Sequence, residues 1–367
     1  MELINATNMP AAYTQGMDKS GRESLVVVVK GTFTLPLDGS LPSLLEQQAP
    51  LVEADVYLQE PGLSACLYES DFAPFKPRCD VLLNGSAYAP NGQPVKELDT
   101  RLRVANIDKT LHVVGNRLWY ADAGSIGKTF AEPFNVMPLH YGRAFGGLDD
   151  FHHDENKRDA YMDNPIGRGF HRHLQDKLVH HTPLPNIEEP GHPVKKPDGQ
   201  YRPMAYGVVG RSWPQRARYA GTYDQNWVDT VFPFLPDDFN EAYYQSAPND
   251  QQCDYLRGGE WVELHNLTPT GATRFQLPVV SVPIVYFMND QAEKQSQAII
   301  DTLVIEPDLG RFCLTWRASL PLKRNLFEVN QILAGRMPKA WWRARKSGKA
   351  YSPGLHKLRQ VMETEDE

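Results

Sequence analysis

Residues 22–35 read RESLVVVVKGTFTL, closed off by Gly21 and Pro36. β-Branched side chains lose χ1 freedom in a helix and pack well on a pleated surface, so Val26 to Val29 predict a strand. A run that is apolar at every position, rather than at alternate ones, predicts a strand covered on both faces. Gly31 within it predicts a bulge. The first question is what else in the chain pairs with such a strand.

The segments 52–58 (VEADVYL), 101–106 (RLRVAN) and 109–114 (KTLHVV) alternate apolar and polar, and 117–120 (RLWY) returns. Leu111 and Val113 face inward, and His112 faces the other way. Strand patterning resumes at 259–267, 273–277, 279–288, 298–306 and 310–318. In LTWRASL, Leu314, Trp316 and Ala318 share one face and Arg317 points away. Between these blocks, from 146 to 255, Pro, Gly, His, Asp, Tyr and Trp crowd together with no helical stripe longer than two turns. Proline lowers the entropy lost on ordering and the aromatics offer surface to bury, so this stretch reads as an ordered, loop-rich layer. The fold class is mainly β: a sandwich-like scaffold whose first and last thirds pair, with a long loop-rich insertion and a short helical C-terminal segment. One β-rich domain is expected over 1–320, strand-rich at 1–145 and 256–320, followed by a helical segment and acidic tail over 321–367. Leu322, Leu326, Val329 and Leu333 stand at helical spacing, Gly335 is a stop, Pro338 a new helix start, and METEDE a frayed end.

Composition narrows the function classes. With 367 residues, 41% of them hydrophobic and 23% charged, there is ample material for a core. A net charge of -7 offers no domain-wide positive field and argues against nucleic-acid binding. The opening MELINATNMPAAYTQG has neither a basic nor an apolar leader pattern, and the longest aliphatic run, Leu25 to Val29, is too short to span a bilayer. A cytoplasmic location, away from membranes, is expected. Cys66, Cys79, Cys253 and Cys313 form no Cys-x-x-Cys pair, so reduced thiols and no cysteine zinc site are expected.

Catalytic templates find little footing. ADAGSIGKT (121–129) has the Gly-Lys-Thr of a phosphate loop, but Asp122 stands where its first Gly belongs, and FAEPFNVMP cannot continue as the helix that holds the anion. It reads as a hairpin. His152, His153, His171, His173, His180 and His181 lie near Asp149, Asp150, Asp154 and Glu155, yet at no metal-binding helical spacing. Neighbours in an extended segment point apart, so the pairs read as polar loop residues. There is no Gly-x-Ser-x-Gly elbow. Glu260 with Glu263, and Asp237 with Asp238, are pairs that a chain holding 45 acids gives away freely. AWWRARKSGK (340–349) reads as a helix packing Trp341 or Trp342 with its cations in water. No enzyme and no cofactor are expected, the alternative being a metal-dependent or carbohydrate-active hydrolase on a β scaffold.

Arginines beside glycine and aromatics recur in the loop layer: GRAFGG (142–147), GRGF (167–170) and GRSWPQRARYAGTYDQNW (210–227). Such residues are favoured where proteins meet, and equally serve as staples that satisfy loop carbonyls. Arg143, Phe145, Arg168, Phe170, Arg211, Trp213 and Trp227 are the partner-binding candidates, with docking on or beside 139–227. In PFKPRCDVLLNGSAYAP (74–90), Cys79, Val81 and Leu83 share a strand face, Asn84-Gly85 makes a tight turn, Ser86 to Tyr88 return, and Lys76 and Arg78 are placed to neutralise Asp80 or neighbouring carboxylates.

Taken in order, APFKPRCDVLLNGSAYAP, MPLHYGRAFGG, NPIGRGF, LPNIEEP, SWPQRARYAGTYDQNW, FPFLPDDFN, APNDQQ and LRGGEWVELHNLTP resemble a bacterial family long catalogued only as a domain of unknown function. Its genes lie beside those for type VI secretion spikes, PAAR-type tips and their toxins. The resemblance runs from about 22 to 318. It implies an adaptor or chaperone that binds a secretion effector or its PAAR-like tip and helps load it onto the spike protein, without catalysis. Gly142 departs from the acidic residue expected before Arg143, which removes an ion pair the resemblance would imply.

Overall fold

A computed structural model describes residues 1–349 and 351. The Glu23–Thr34 strand is the spine of a six-stranded sheet, ordered Gln252–Cys253, Cys79–Leu83, Ile299–Glu306, Arg311–Pro321, Glu23–Thr34 and Ala11–Met17. Its longest pairing joins the first and last thirds: Glu23–Thr34 runs antiparallel to Arg311–Pro321, with Val29 opposite Trp316. A five-stranded sheet follows the order Ile187–Glu188, Ile107–Val114, Glu97–Val104, Trp261–His265 and Ala272–Gln276. A third sheet has the order Glu2–Ala6, Val329–Gly335, Pro283–Met288 and Glu293–Gln297.

All three sheets feed one apolar core. Leu25, Val27 and Val29 meet Leu102, Val104 and Leu111 from the second sheet and Ile284, Tyr286 and Ile332 from the third. Each such aliphatic side chain contributes about 1.5–3 kcal/mol on burial. Leu314, Trp316 and Ala318 join this core, as their alternation predicts. The opposite face of the spine carries Val26, Val28 and Lys30, with Arg317 in register with Val28. That face is covered as well. Arg317 donates to Asp301 and to the carbonyls of Asp71 and Ala73, and Lys30 pairs with Asp71 at 2.9 Å. The all-apolar run thus marks a strand between two layers.

Three local expectations are corrected. Gly31 sits in unbroken register opposite Leu314, with no bulge. It is a glycine because a Cβ would meet Met9 Sδ at 2.6 Å and the Phe33 ring at 2.9 Å. Asn84-Gly85 is not a hairpin turn: Gly85–Tyr88 pairs with Val136–Leu139, while Cys79–Leu83 stays in the main sheet between Gln252–Cys253 and Ile299–Glu306. The chain changes sheets there. Lastly, Val329–Gly335 is a strand and not part of a helix. Ile332 and Ala334 enter the main core while Leu333 faces Val285, Phe287 and Trp341, so the segment is apolar on both faces, and helical spacing within it was accidental. Pro338 does start a helix, Lys339–Lys346, which buries Trp341. METEDE lies outside the described residues.

Candidate partner-binding surface

The loop layer holds its shape by giving side-chain donors to backbone carbonyls that no ladder reaches. Asn164 Nδ2 donates to the carbonyls of Tyr141 and Phe145, Gln251 Nε2 to those of Val81 and Tyr206, and Arg216 to those of Val209 and Tyr243. Asp80 ties the layer to the main sheet. It accepts from Lys76 Nζ at 2.7 Å, Gln245 Nε2 at 2.6 Å and both the amide and hydroxyl of Ser246. Burial pushes the Asp80 carboxyl up, but the Lys76 charge and these bonds outweigh it and hold the group below 3.8. Arg78 instead uses its amide on Gln245.

Against this frame the seven candidate residues separate. Phe145 and Phe170 lie in a satellite core with Trp119, Tyr161, Val179 and Leu184. Trp213 is buried in the main core, edge-on to Tyr141 at 5.0 Å. These three fasten the layer from inside and present no surface to a partner. Arg211 is half-exposed and forks onto Asp55, with Glu69 at 2.7 Å. Arg143 and Arg168 come together around Gly142. Arg143 Nη1 donates to Asn186 Oδ1 at 2.9 Å, and Arg168 Nε to the Gly142 carbonyl at 2.8 Å. Neither forms an ion pair with a carboxylate among the described residues.

Trp227 differs from Trp213 in kind. It sits on the Gln225–Thr230 helix, whose first turn is capped by Asp224 accepting from the Trp227 amide. The indole is half-buried between Tyr223 and Phe232, at 4.8 and 5.5 Å, and donates to the Phe234 carbonyl. Around it Tyr223, Val228, Phe232 and Phe234 are 43–63% exposed. This lobe is closed at its base: Asn240 N bonds the Tyr219 carbonyl, and Asp238 takes the amide and hydroxyl of Thr222. It leans on the main sheet through Gly21, whose missing Cβ leaves room for the Phe234 ring. Residues 219–239 hold Asp224, Asp229, Asp237 and Asp238 and no Lys or Arg. The segment is thus a compact loop with close ends, exposed aromatics and one sign of charge, features that recurring recognition loops share. The expected docking range ended at Trp227 and so stopped inside the lobe. The missed signal is TVFPFLPDD, an apolar run in a loop with two acids after it.

Chemistry is less well supplied. Residues 121–129 form the hairpin Trp119–Asp122/Ser125–Lys128, turning at Ala123-Gly124. Among the described residues no group of three or more His, Cys, Asp or Glu converges as metal ligands would. His173 stacks on Phe151, 3.9 Å between ring centroids. His180 and His181 do not point apart: a φ of 65° at His181 folds the pair so that the rings touch, centroids 3.9 Å apart. Lys109 is buried, and desolvation pulls its ammonium down to about 8 against the attraction of Asp250. All its donors are used, on the Ala205 carbonyl, Asp250 and Gln251, so it is a brace. Glu263 is neutralised by Arg103 and Arg274 on the outer face of the second sheet. Among the described residues no helix is long and apolar enough to cross a membrane.

Residues 20–317 match DUF2169, a family described as an uncharacterized protein conserved in bacteria. No curated protein and no solved structure matches the chain.

Proposed function

This chain belongs to the DUF2169 family, and we propose that it is a non-enzymatic adaptor or chaperone of type VI secretion. In this reading it binds an effector or that effector's PAAR-like tip and assists its loading onto the spike protein. The observation that carries the binding role is the Tyr223–Phe239 lobe. Its aromatics stand in solvent on a base closed by hydrogen bonds, and the six-stranded sheet beneath is covered on both faces. Folded proteins seldom leave aromatic side chains clustered at a surface unless something covers them. Aromatic anchors of this kind dominate binding energies at protein interfaces. The secretion context rests on the ordered motifs from APFKPRCDVLLNGSAYAP to LRGGEWVELHNLTP.

The test is affinity purification of the tagged full chain from a bacterial cytoplasm, with the captured proteins identified by mass spectrometry. A PAAR-like tip or effector retained by the wild type and lost with Trp227→Ala/Phe232→Ala supports the reading. Retention that is indifferent to this pair, or capture without any secretion component, overturns it.

A further inference from the structure

Among the described residues six lysine and arginine side chains are buried: Lys30, Lys76, Lys109, Arg117, Arg216 and Arg317. Every one is matched by a carboxylate of the same chain, respectively Asp71, Asp80, Asp250, Glu188, Glu69 and Asp301. That is the usual requirement for taking a cation out of water. The half-buried pair Arg143 and Arg168 breaks the pattern.

Arg143 spends Nη1 on Asn186 Oδ1 and on Met137 Sδ at 3.2 Å, and its Nε is buried with no acceptor. Arg168 spends only Nε, on the Gly142 carbonyl. Nη2 of Arg143 and both Nη of Arg168 find no acceptor among the described residues, and none of the three is buried, so they open to solvent. Burial weakens the hold of both guanidiniums on their protons, and at Arg168 the neighbouring Arg143 adds to it. His140 lies in the same field. Burial and the two arginines push it down to about 4, so it stays neutral at physiological pH and adds no third charge. Its Nδ1 is another buried atom without a partner. Two cations of like sign repel each other here, and no carboxylate among the described residues pairs with either.

We propose that Arg143 and Arg168 form a receptor for a carboxylate, filled by an Asp or Glu side chain of the docked partner. This rests on the adaptor reading above. A guanidinium fork matches the two oxygens of a carboxylate, and charge-assisted bonds of this kind are about twice as strong as neutral ones. The partner's acid supplies what the six buried cations already own. A polyphosphate or nucleic acid fits less well, because the two arginines are an isolated pair on a chain of net charge -7.

The probe is acetyl-triglutamyl amide, added to the full-length protein at constant ionic strength, with acetyl-triglutaminyl amide and inorganic phosphate as controls. Thermal unfolding and calorimetric titration are read together. A ligand that binds only the folded state raises the midpoint by mass action. The acidic tripeptide is expected to raise it saturably and the neutral one to leave it alone. Arg168→Gln is expected to abolish the rise while its own unliganded midpoint stays near that of the wild type. Arg168→Lys keeps the charge and loses the fork, and is expected to weaken binding severalfold, which loss of a mere staple would not do. An equal rise in Arg168→Gln overturns the proposal, and so does a rise with phosphate but not with the acidic tripeptide. A tip or effector retained equally by wild type and Arg168→Gln also overturns the receptor and leaves the adaptor standing. Tripeptide binding that depends on Arg168, with no secretion component captured from the cytoplasm, supports the receptor and removes the adaptor.

Discussion

Trp213 and Trp227 are fourteen residues apart in one loop-rich stretch, and they do opposite things. Trp213 is sunk in the main core against Tyr141; Trp227 stands half-covered in an aromatic lobe that faces solvent. The charges divide in the same way. Where the layer meets the scaffold, Lys76 and Arg317 are locked to Asp80 and Asp301, whereas Arg143 and Arg168 at the layer's surface have no acid partner among the described residues. Residue type alone does not separate a staple from an anchor. What separates them is whether the chain itself supplies the covering group.

The largest expected effect lies on the scaffold side. Asp80→Ala strands Lys76 and empties the bonds of Gln245 and Ser246, and urea unfolding should show a loss of about 3–5 kcal/mol. Adding Lys76→Met should recover much of it, because the uncompensated charge is then gone. The same carboxyl sets an acid limb. Its folded value lies below 3.8, so the unfolded state binds its proton more readily. Its contribution is therefore complete above about pH 5 and lost as pH falls through the folded value. Asp80→Asn should flatten stability against pH in that window.

Next in size is the tryptophan contrast itself. Trp213→Ala should cost about 3 kcal/mol or more by calorimetry, as a core truncation. Trp227→Ala should cost about 1 kcal/mol and weaken partner affinity tenfold or more. If the two substitutions destabilise equally, the lobe is structural and the contrast fails. The smallest effect belongs to Arg211→Ala. Its pair is half-exposed, and Glu69 keeps Arg216 at 2.8 Å, so about 1 kcal/mol or less should be lost.

The sheets were legible because burial writes itself into alternation and into all-apolar runs. RESLVVVVKGTFTL and LTWRASL are found paired, with their faces as read. What failed were features set by distant contacts. Gly31 answers to Met9 and Phe33, and Val329–Gly335 to sheets on both of its faces. A local spacing rule has no access to either. In the loop layer the candidate residues read as one class, and their sorting was invisible. Nothing within GRSWPQRARYAGTYDQNW says that Trp213 turns in and Trp227 out, since that depends on Tyr141 and on the base at Tyr219 and Asn240.

The pairing of the chain's two ends has a consequence for its manufacture. Glu2–Ala6 lies parallel to Val329–Gly335, and the spine strand needs Arg311–Pro321 beside it. A ribosome adding about 5–20 residues per second makes the first strand wait roughly 15–65 s for its neighbour. Throughout that interval LVVVV is an unshielded, aggregation-prone edge. A message cut short before codon 311 would yield a polypeptide with the whole 146–255 loop layer present and its central strand bare on the edge that Arg311–Pro321 covers. For this protein, quality control during translation is a matter of guarding the beginning until the end arrives.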